Sequence, residues 1–229
     1  MCGRPCRDRR HPDTETSSPA PAEPGDRSLS IHVPIPSSAI ALGGGRYLDL
    51  LDPQPADIDL YRLCRVLAGI PRWSGQPDTP WTVGQHSLVV GKIVQARYRD
   101  PKLTLAALLH DGHEYATGDI NTPLKRLLGP AIVAIQSGLD AAICDRVGAD
   151  IELMHGAIVK GIDVEVGFVE ALLFGMDADE PDARKFVPQG YEISVDIEFE
   201  IRRFLRYPGD DLDVASLMMM QIQDAGGIL

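Results

Sequence analysis

The stretch Leu108-Leu109-His110-Asp111-Gly112-His113-Glu114-Tyr115 gathers metal-binding and proton-transferring side chains at the end of an apolar run. The spacing of Leu105, Leu108 and Leu109 predicts a helix over 103–116, anchored by these leucines. At about 100° per residue, His110, Asp111 and Glu114 would share an arc of roughly 100° and point an imidazole and two carboxylates into one cleft. His113 would lie about 60° from His110 on the side away from Asp111, so it is not expected to be a primary ligand.

Two further groups complete a ligand set. His86 stands 24 residues before His110, in Val-Gly-Gln-His-Ser-Leu-Val-Val, and Asp163 lies downstream in Ile-Val-Lys-Gly-Ile-Asp-Val-Glu. Two imidazoles and two carboxylates suit a borderline or hard divalent ion that keeps open positions for water and a phosphate oxygen. Each residue alone has a plainer reading. His86 could be a satisfied histidine at a helix start, His110-Asp111 a surface pair, and Asp163 a salt-bridge partner of Lys160.

As an ordered set, His…His-Asp…Asp on separate predicted helices, the four resemble the HD-domain metal-dependent phosphohydrolases. Gly-Gln-His-Ser-Leu, Leu-Leu-His-Asp-Gly-His-Glu and Thr-Gly-Asp-Ile-Asn-Thr-Pro-Leu-Lys resemble the branch of bacterial 5′-deoxynucleotidases and related phage nucleotide phosphohydrolases, over roughly residues 45–180. The resemblance implies that His86, His110, Asp111 and Asp163 hold one divalent ion, with Mn²⁺, Co²⁺ and Mg²⁺ as candidates. Members with two metals draw extra histidines from downstream helices, and only His155 stands there, so a single ion is expected.

Glu114 and Asp119 match the two further acids that this branch uses in catalysis, four and nine residues after the histidine of the pair. Arg72-Trp73 matches an arginine-aromatic pair that faces the nucleotide. Arg72 would grip phosphate through its planar fork and Trp73 would stack on a base or limit its size, the plainer reading being a surface arginine beside a core tryptophan. Thr122 and Lys125 would reach phosphate from the Asn-Thr-Pro-Leu-Lys loop, where the branch commonly has proline in place of Asn121. Glu170, two turns after Asp163, reads as a buried structural acid.

The expected activity is hydrolysis of phosphate from nucleotides, with deoxynucleotides first. Release of triphosphate from a deoxynucleoside triphosphate is the rival within the class. Hydrolysis of guanosine tetraphosphate fits less well, because those enzymes carry His-Asp-x-x-Glu-Asp and Tyr115 replaces the final acid. A catalytically silent nucleotide sensor is the rival from another class, and the presence of every expected ligand and acid speaks against it.

The elements that must position these groups are mostly helical. Periodicity and turn signals predict helices over 57–69, 84–99, 103–116, 123–128, 130–148, 152–178, 195–206 and 211–224. Ala39–Leu42 and Arg46–Leu51 can pair across Gly43-Gly44-Gly45 as a hairpin, which is preferred to a phosphate loop because no Gly-Lys-Ser/Thr follows. The expected fold is all-α, an HD-type helical bundle with a small N-terminal β-hairpin. It divides into a disordered tail over 1–30, the hairpin and linker over 31–56, the catalytic domain over 57–208 and a C-terminal helix over 209–229 that packs on it.

A chain of 229 residues with 44% hydrophobic content can build one good core, and a net charge of −11 argues against a general nucleic-acid-binding surface. A small phosphorylated substrate is compatible, since a dication and a few local basic residues set the field inside a pocket. Cys2, Cys6, Cys64 and Cys144 are scattered, which suggests a reduced cytoplasm, and no run of about 18 apolar residues predicts a membrane span. Cys2 and Cys6 lack a second pair for zinc, and Arg9-Arg10 lacks the apolar segment of an export signal. Met218-Met219-Met220 reads as packing of the last helix or as a homo-oligomer contact.

Overall fold

Five short polar side chains start helices among the described residues. Asp59, Thr82, Asp100, Asn121 and Asp150 each accept a backbone N–H from the first turn of the helix that follows. Such caps contribute about 1 kcal/mol apiece and fix where a helix begins. The computed structural model describes residues 34–176, 187–206 and 211–229. The expected tail with Cys2, Cys6 and Arg9-Arg10 lies outside the described residues, as does the end of the helix expected to reach 178.

The architecture is mostly α with one antiparallel hairpin, β1 (Ala39–Gly43) and β2 (Arg46–Asp49). Ile40 pairs with Leu48 and Ala41 with Tyr47, and Gly43, Gly44 and Gly45 all take positive φ at the turn, a conformation that glycine adopts without a steric penalty. The helices are α1 (Leu60–Gly69), α2 (Val83–Tyr98), α3 (Pro101–Leu109), α4 (Glu114–Thr117) and α5 (Thr122–Leu128). They continue with α6 (Pro130–Val147), α7 (Ile151–Met154), α8 (Ala157–Leu173), α9 (Val195–Arg206) and α10 (Asp211–Asp224). By contact, the chain divides into Met1–Pro34 and Ile35–Leu229, and every element described here belongs to the second.

Helix α2 is the central element. It carries a capping box in which Thr82 Oγ1 accepts from the Gln85 N–H at 3.2 Å and Gln85 Oε1 accepts from the Thr82 N–H at 2.9 Å. Its side chains from Val83 to Val90 are all buried, as befits a helix covered on every side. Val83 and Leu88 join a core with α1, α3, α6 and α10, while Val89, Val90, Ile93 and Val94 join a second with Trp81, α8 and α9. A Cβ at Gly91 would lie 2.4 Å from Leu108 Cδ2, so glycine is what lets α2 and α3 approach. Met218 is fully buried and Met220 is 60% exposed, so the methionine run of α10 is packed at its first member.

Two expected helices are broken. The helix expected over 103–116 stops at Leu109 and resumes at Glu114, because Gly112 N–H donates to Leu109 O at 2.7 Å and tightens the chain into successive turns. A Cβ at Gly112 would meet Leu109 O at 2.8 Å and Ile143 Cδ1 at 3.2 Å, so this turn requires glycine. The helix expected over 152–178 is interrupted at His155-Gly156, where Gly156 N–H donates to Leu153 O, and α8 ends at Leu173 before Gly175 at φ +66°. Similarly, α1 begins at Leu60 rather than 57, since Asp59 is its cap. No single helix among the described residues is long and apolar enough to cross a membrane.

Candidate metal centre

His86, His110, Asp111 and Asp163 converge from α2, the turn after α3, and α8. His86 Nε2 lies 3.3 Å from His110 Nε2, 3.1 Å from Asp163 Oδ1 and 3.8 Å from Asp111 Oδ2. His110 Nε2 is 3.3 Å from Asp111 Oδ2 and 3.6 Å from Asp163 Oδ1. Donors about 2.1 Å from one ion stand about 3.0 Å apart at right angles and about 3.4 Å apart in a tetrahedron, so these spacings fit a single cation.

The polarity of the ring nitrogens fits as well. His110 Nδ1 lies 2.8 Å from Ala107 O, and a carbonyl only accepts, so Nδ1 carries a proton and Nε2 offers a lone pair whenever the ring is neutral, as it would be when bound to an ion. His86 Nδ1 lies 2.7 Å from Glu170 Oε1, which turns the second Nε2 toward the same point. Two lone pairs and two carboxylates facing one another repel unless a proton or a cation sits among them.

Without a cation the charges settle through protons. Burial pulls His110 down, yet Asp111 and Asp163 hold it well above the usual imidazole value. Burial and Arg72 pull His86 down, and Glu170 and Asp163 outweigh them. Burial would raise Asp111 and Asp163, but His110, His86 and, for Asp111, Arg72 hold both below the carboxylate range.

Glu170 is fully buried, as expected, and it links three side chains. Its Oε1 accepts from Trp81 Nε1 and His86 Nδ1, both at 2.7 Å, while Oε2 accepts from Arg72 Nε at 3.2 Å. Arg72 also donates through Nη1 to Asp111 Oδ2 at 3.2 Å, so it is drawn into the cluster rather than lying on the surface. Pro71 bridges Thr82 and Arg72 N–H donates to Trp81 O, which returns the Arg72 turn onto the start of α2. Trp73 and Ser74 follow with φ of 58° and 53°, left-handed conformations that cost non-glycine residues of order 1–3 kcal/mol each. Trp73 is half-buried on this strained turn.

Glu114 is buried beside the cluster. Burial, with Asp111 and Asp119 adding repulsion, pushes its carboxyl up to about 9. Asp119, half-buried after Gly118, therefore lies within electrostatic reach of Glu114. Lys125 Nζ is 3.9 Å from Glu114 Oε1, whereas Thr122 is exposed at the first position of α5. Asn121, the departure from the branch pattern, caps α5 and its amide donates to Ser74 Oγ at 3.4 Å, linking this loop to the Arg72-Trp73 turn.

Sequence reasoning missed one network. His113 Nδ1 lies 2.8 Å from Asp140 Oδ1, and Asp140 Oδ2 lies 2.9 Å from His155 Nε2. The break at Gly112 places His113 with Asp111 and Glu114, where one ligand atom from each lies within 4.8 Å of the others. A continuous helix would have turned it away, and only the glycine itself hinted otherwise.

No family model matches the chain. It is similar to an uncharacterized protein of Rhodobacter capsulatus, 41% identical over 113 residues that make up 45% of this chain and 55% of the relative. The chain thus spans about half the length of the curated relative it matches.

Proposed function

We propose that this protein is a divalent-metal-dependent phosphohydrolase of the HD type, removing phosphate from nucleotides in the manner of a 5′-deoxynucleotidase. The observation that carries the reading is the convergence of His86, His110, Asp111 and Asp163 at spacings of 3.1–3.8 Å, with Nδ1 of each ring facing an acceptor and Nε2 turned to the cluster. Bound there, a divalent ion would polarise a phosphoryl oxygen and ease deprotonation of water.

The chain's own groups supply the rest. Asp111, Asp163, Asp119 and Glu170 outnumber Arg72 and Lys125 around the cluster, so a cation held among them would ease the approach of a phosphate. Arg72 would turn its guanidinium from Asp111 to phosphate while Glu170 keeps its Nε in place. Glu114 holds or accepts a proton at a carboxyl shielded from water, and Lys125 steadies its charged form. Trp73, presented on a strained turn, would form the wall against which a base packs.

The test is turnover of mono-, di- and triphosphate nucleotides and deoxynucleotides after exhaustive chelation and after addition of Mn²⁺, Co²⁺ or Mg²⁺, with products separated by chromatography. Metal-dependent release of inorganic phosphate from deoxynucleoside monophosphates is expected. Release of intact triphosphate would move the assignment to the triphosphohydrolase, and full turnover in protein shown to be metal-free would overturn the reading.

A further inference from the structure

The turn that carries His110 and Asp111 offers a second set of donors pointing at a different place. His113 is 7% exposed and Glu114 3%, yet His113 Nε2 and Glu114 Oε2 have no hydrogen-bond partner. An unpartnered buried polar atom costs about 1–3 kcal/mol, so two on adjacent residues call for a ligand.

The hydrogen bond at His113 Nδ1 decides which ligand. Asp140, itself buried, faces Nδ1 at 2.8 Å and receives His155 Nε2 on its other oxygen at 2.9 Å. An acceptor at Nδ1 puts the imidazole proton there and leaves Nε2 a bare lone pair, the arrangement in which a carboxylate orients a metal-binding histidine. Glu114 and Asp111 bring carboxylates beside it, and one ligand atom from each of the three residues lies within 4.8 Å of the others. A proton could join one pair of these atoms, whereas a cation satisfies all three.

We infer that Asp111, His113 and Glu114 form a second divalent-cation site beside the first. Asp111 meets His110, His86 and Arg72 through Oδ2, which leaves Oδ1 to face the second ion and makes this carboxylate the bridge. One nitrogen and two carboxylates select a borderline ion such as Mn²⁺ or Zn²⁺ over Ca²⁺. Asp140 is a positioning residue, acting through the tautomer of His113, and the inference rests on a metal occupying the first group.

The experiment is metal stoichiometry, read without any substrate. Full-length protein is stripped by chelation, reloaded with Mn²⁺ alone, desalted and assayed by elemental analysis and electron paramagnetic resonance. The wild type should hold two ions per chain with an exchange-coupled spectrum. His113→Ala and the isosteric Glu114→Gln should each hold one, and their spectra should become those of isolated Mn²⁺. Asp140→Asn should weaken the second ion by about 10- to 100-fold and spare the first. One uncoupled ion in the wild type would overturn the second site and leave the first intact, and no ion at all would overturn both. Two coupled ions retained in His113→Ala would also overturn it. The wild-type count decides the matter even if a variant fails to fold.

Discussion

Arg72 and Arg97 are each gripped by two acids, and they sit in opposite settings. Arg97, on α2, donates to Glu165 of α8 at 2.7 Å and to Asp196 of α9 at 2.9 Å, with Ser194 as a further acceptor. These groups are solvated and the cation is saturated by its own acids, so the cluster ties three helices together and asks for nothing more. Arg72 is drawn into a pocket where Asp111, Glu170, Asp163 and Glu114 all act on it. There, the Asp111, Asp163 and Glu170 carboxylates meet one guanidinium, and two imidazole Nε2 atoms face the same point. The same pairing chemistry is a fastener where water screens it and, on the proposed reading, a binding site where burial gathers charge.

The two clusters should part furthest at Asp111. Asp111→Asn should strip bound metal and lower kcat/KM by at least ~10³-fold, because it removes charge from the ion and a partner from Arg72. Elemental analysis and turnover check it, and near-normal metal content in active protein would show the cluster to be as self-sufficient as that of Arg97.

Arg72→Ala should lower kcat/KM by roughly 10²–10³-fold for every nucleotide accepted, since contacts to phosphate carry no base information. Trp73→Ala should instead reorder the preference among bases. Kinetics on purine and pyrimidine deoxynucleotides separate the two, and an unchanged base ranking in Trp73→Ala would remove the tryptophan from the pocket.

Glu170→Gln should weaken metal binding by roughly 10- to 100-fold while leaving the fold intact, because the amide cannot fix His86 as the carboxylate does. Titration of chelated protein with Mn²⁺ measures this.

Acidity and alkalinity should separate the two clusters further. His110 is held above its usual value, so in chelated protein its contribution to stability is complete below about pH 6.5 and is lost as the pH rises through the elevated value. Bound metal should remove that alkaline loss, which thermal melts with and without Mn²⁺ would show.

Arg97→Ala should have the smallest effect, no more than about 1 kcal/mol, declining with added salt and leaving turnover unchanged. Asp196 is lowered to about 2, first by the Arg97 hydrogen bond, so its contribution is present above about pH 4 and lost as the pH falls toward 2. With Asp196 46% exposed, solvent screening keeps that loss small.

Much of this molecule follows from local sequence. The expected α9 and α10 coincide with 195–206 and 211–224, and the hairpin forms across Gly43-Gly44-Gly45 as read, because caps, periodicity and glycines act within a few residues. The four-residue cluster was legible for another reason: histidine and aspartate in that order resemble a known set, and side-chain type sets what an ion accepts. Helical spacing failed at His110-Asp111-Gly112-His113, where the packing of Ile143 and the turn closed by Leu109 O favour a break over a continuous helix. Only the assembled helices decided that Glu170 would hold His86, that Arg72 would enter the cluster, and that Asp140 of α6 would orient His113. These partners stand 84, 39 and 27 residues apart, and no local pattern reports a contact that depends on how whole helices pack.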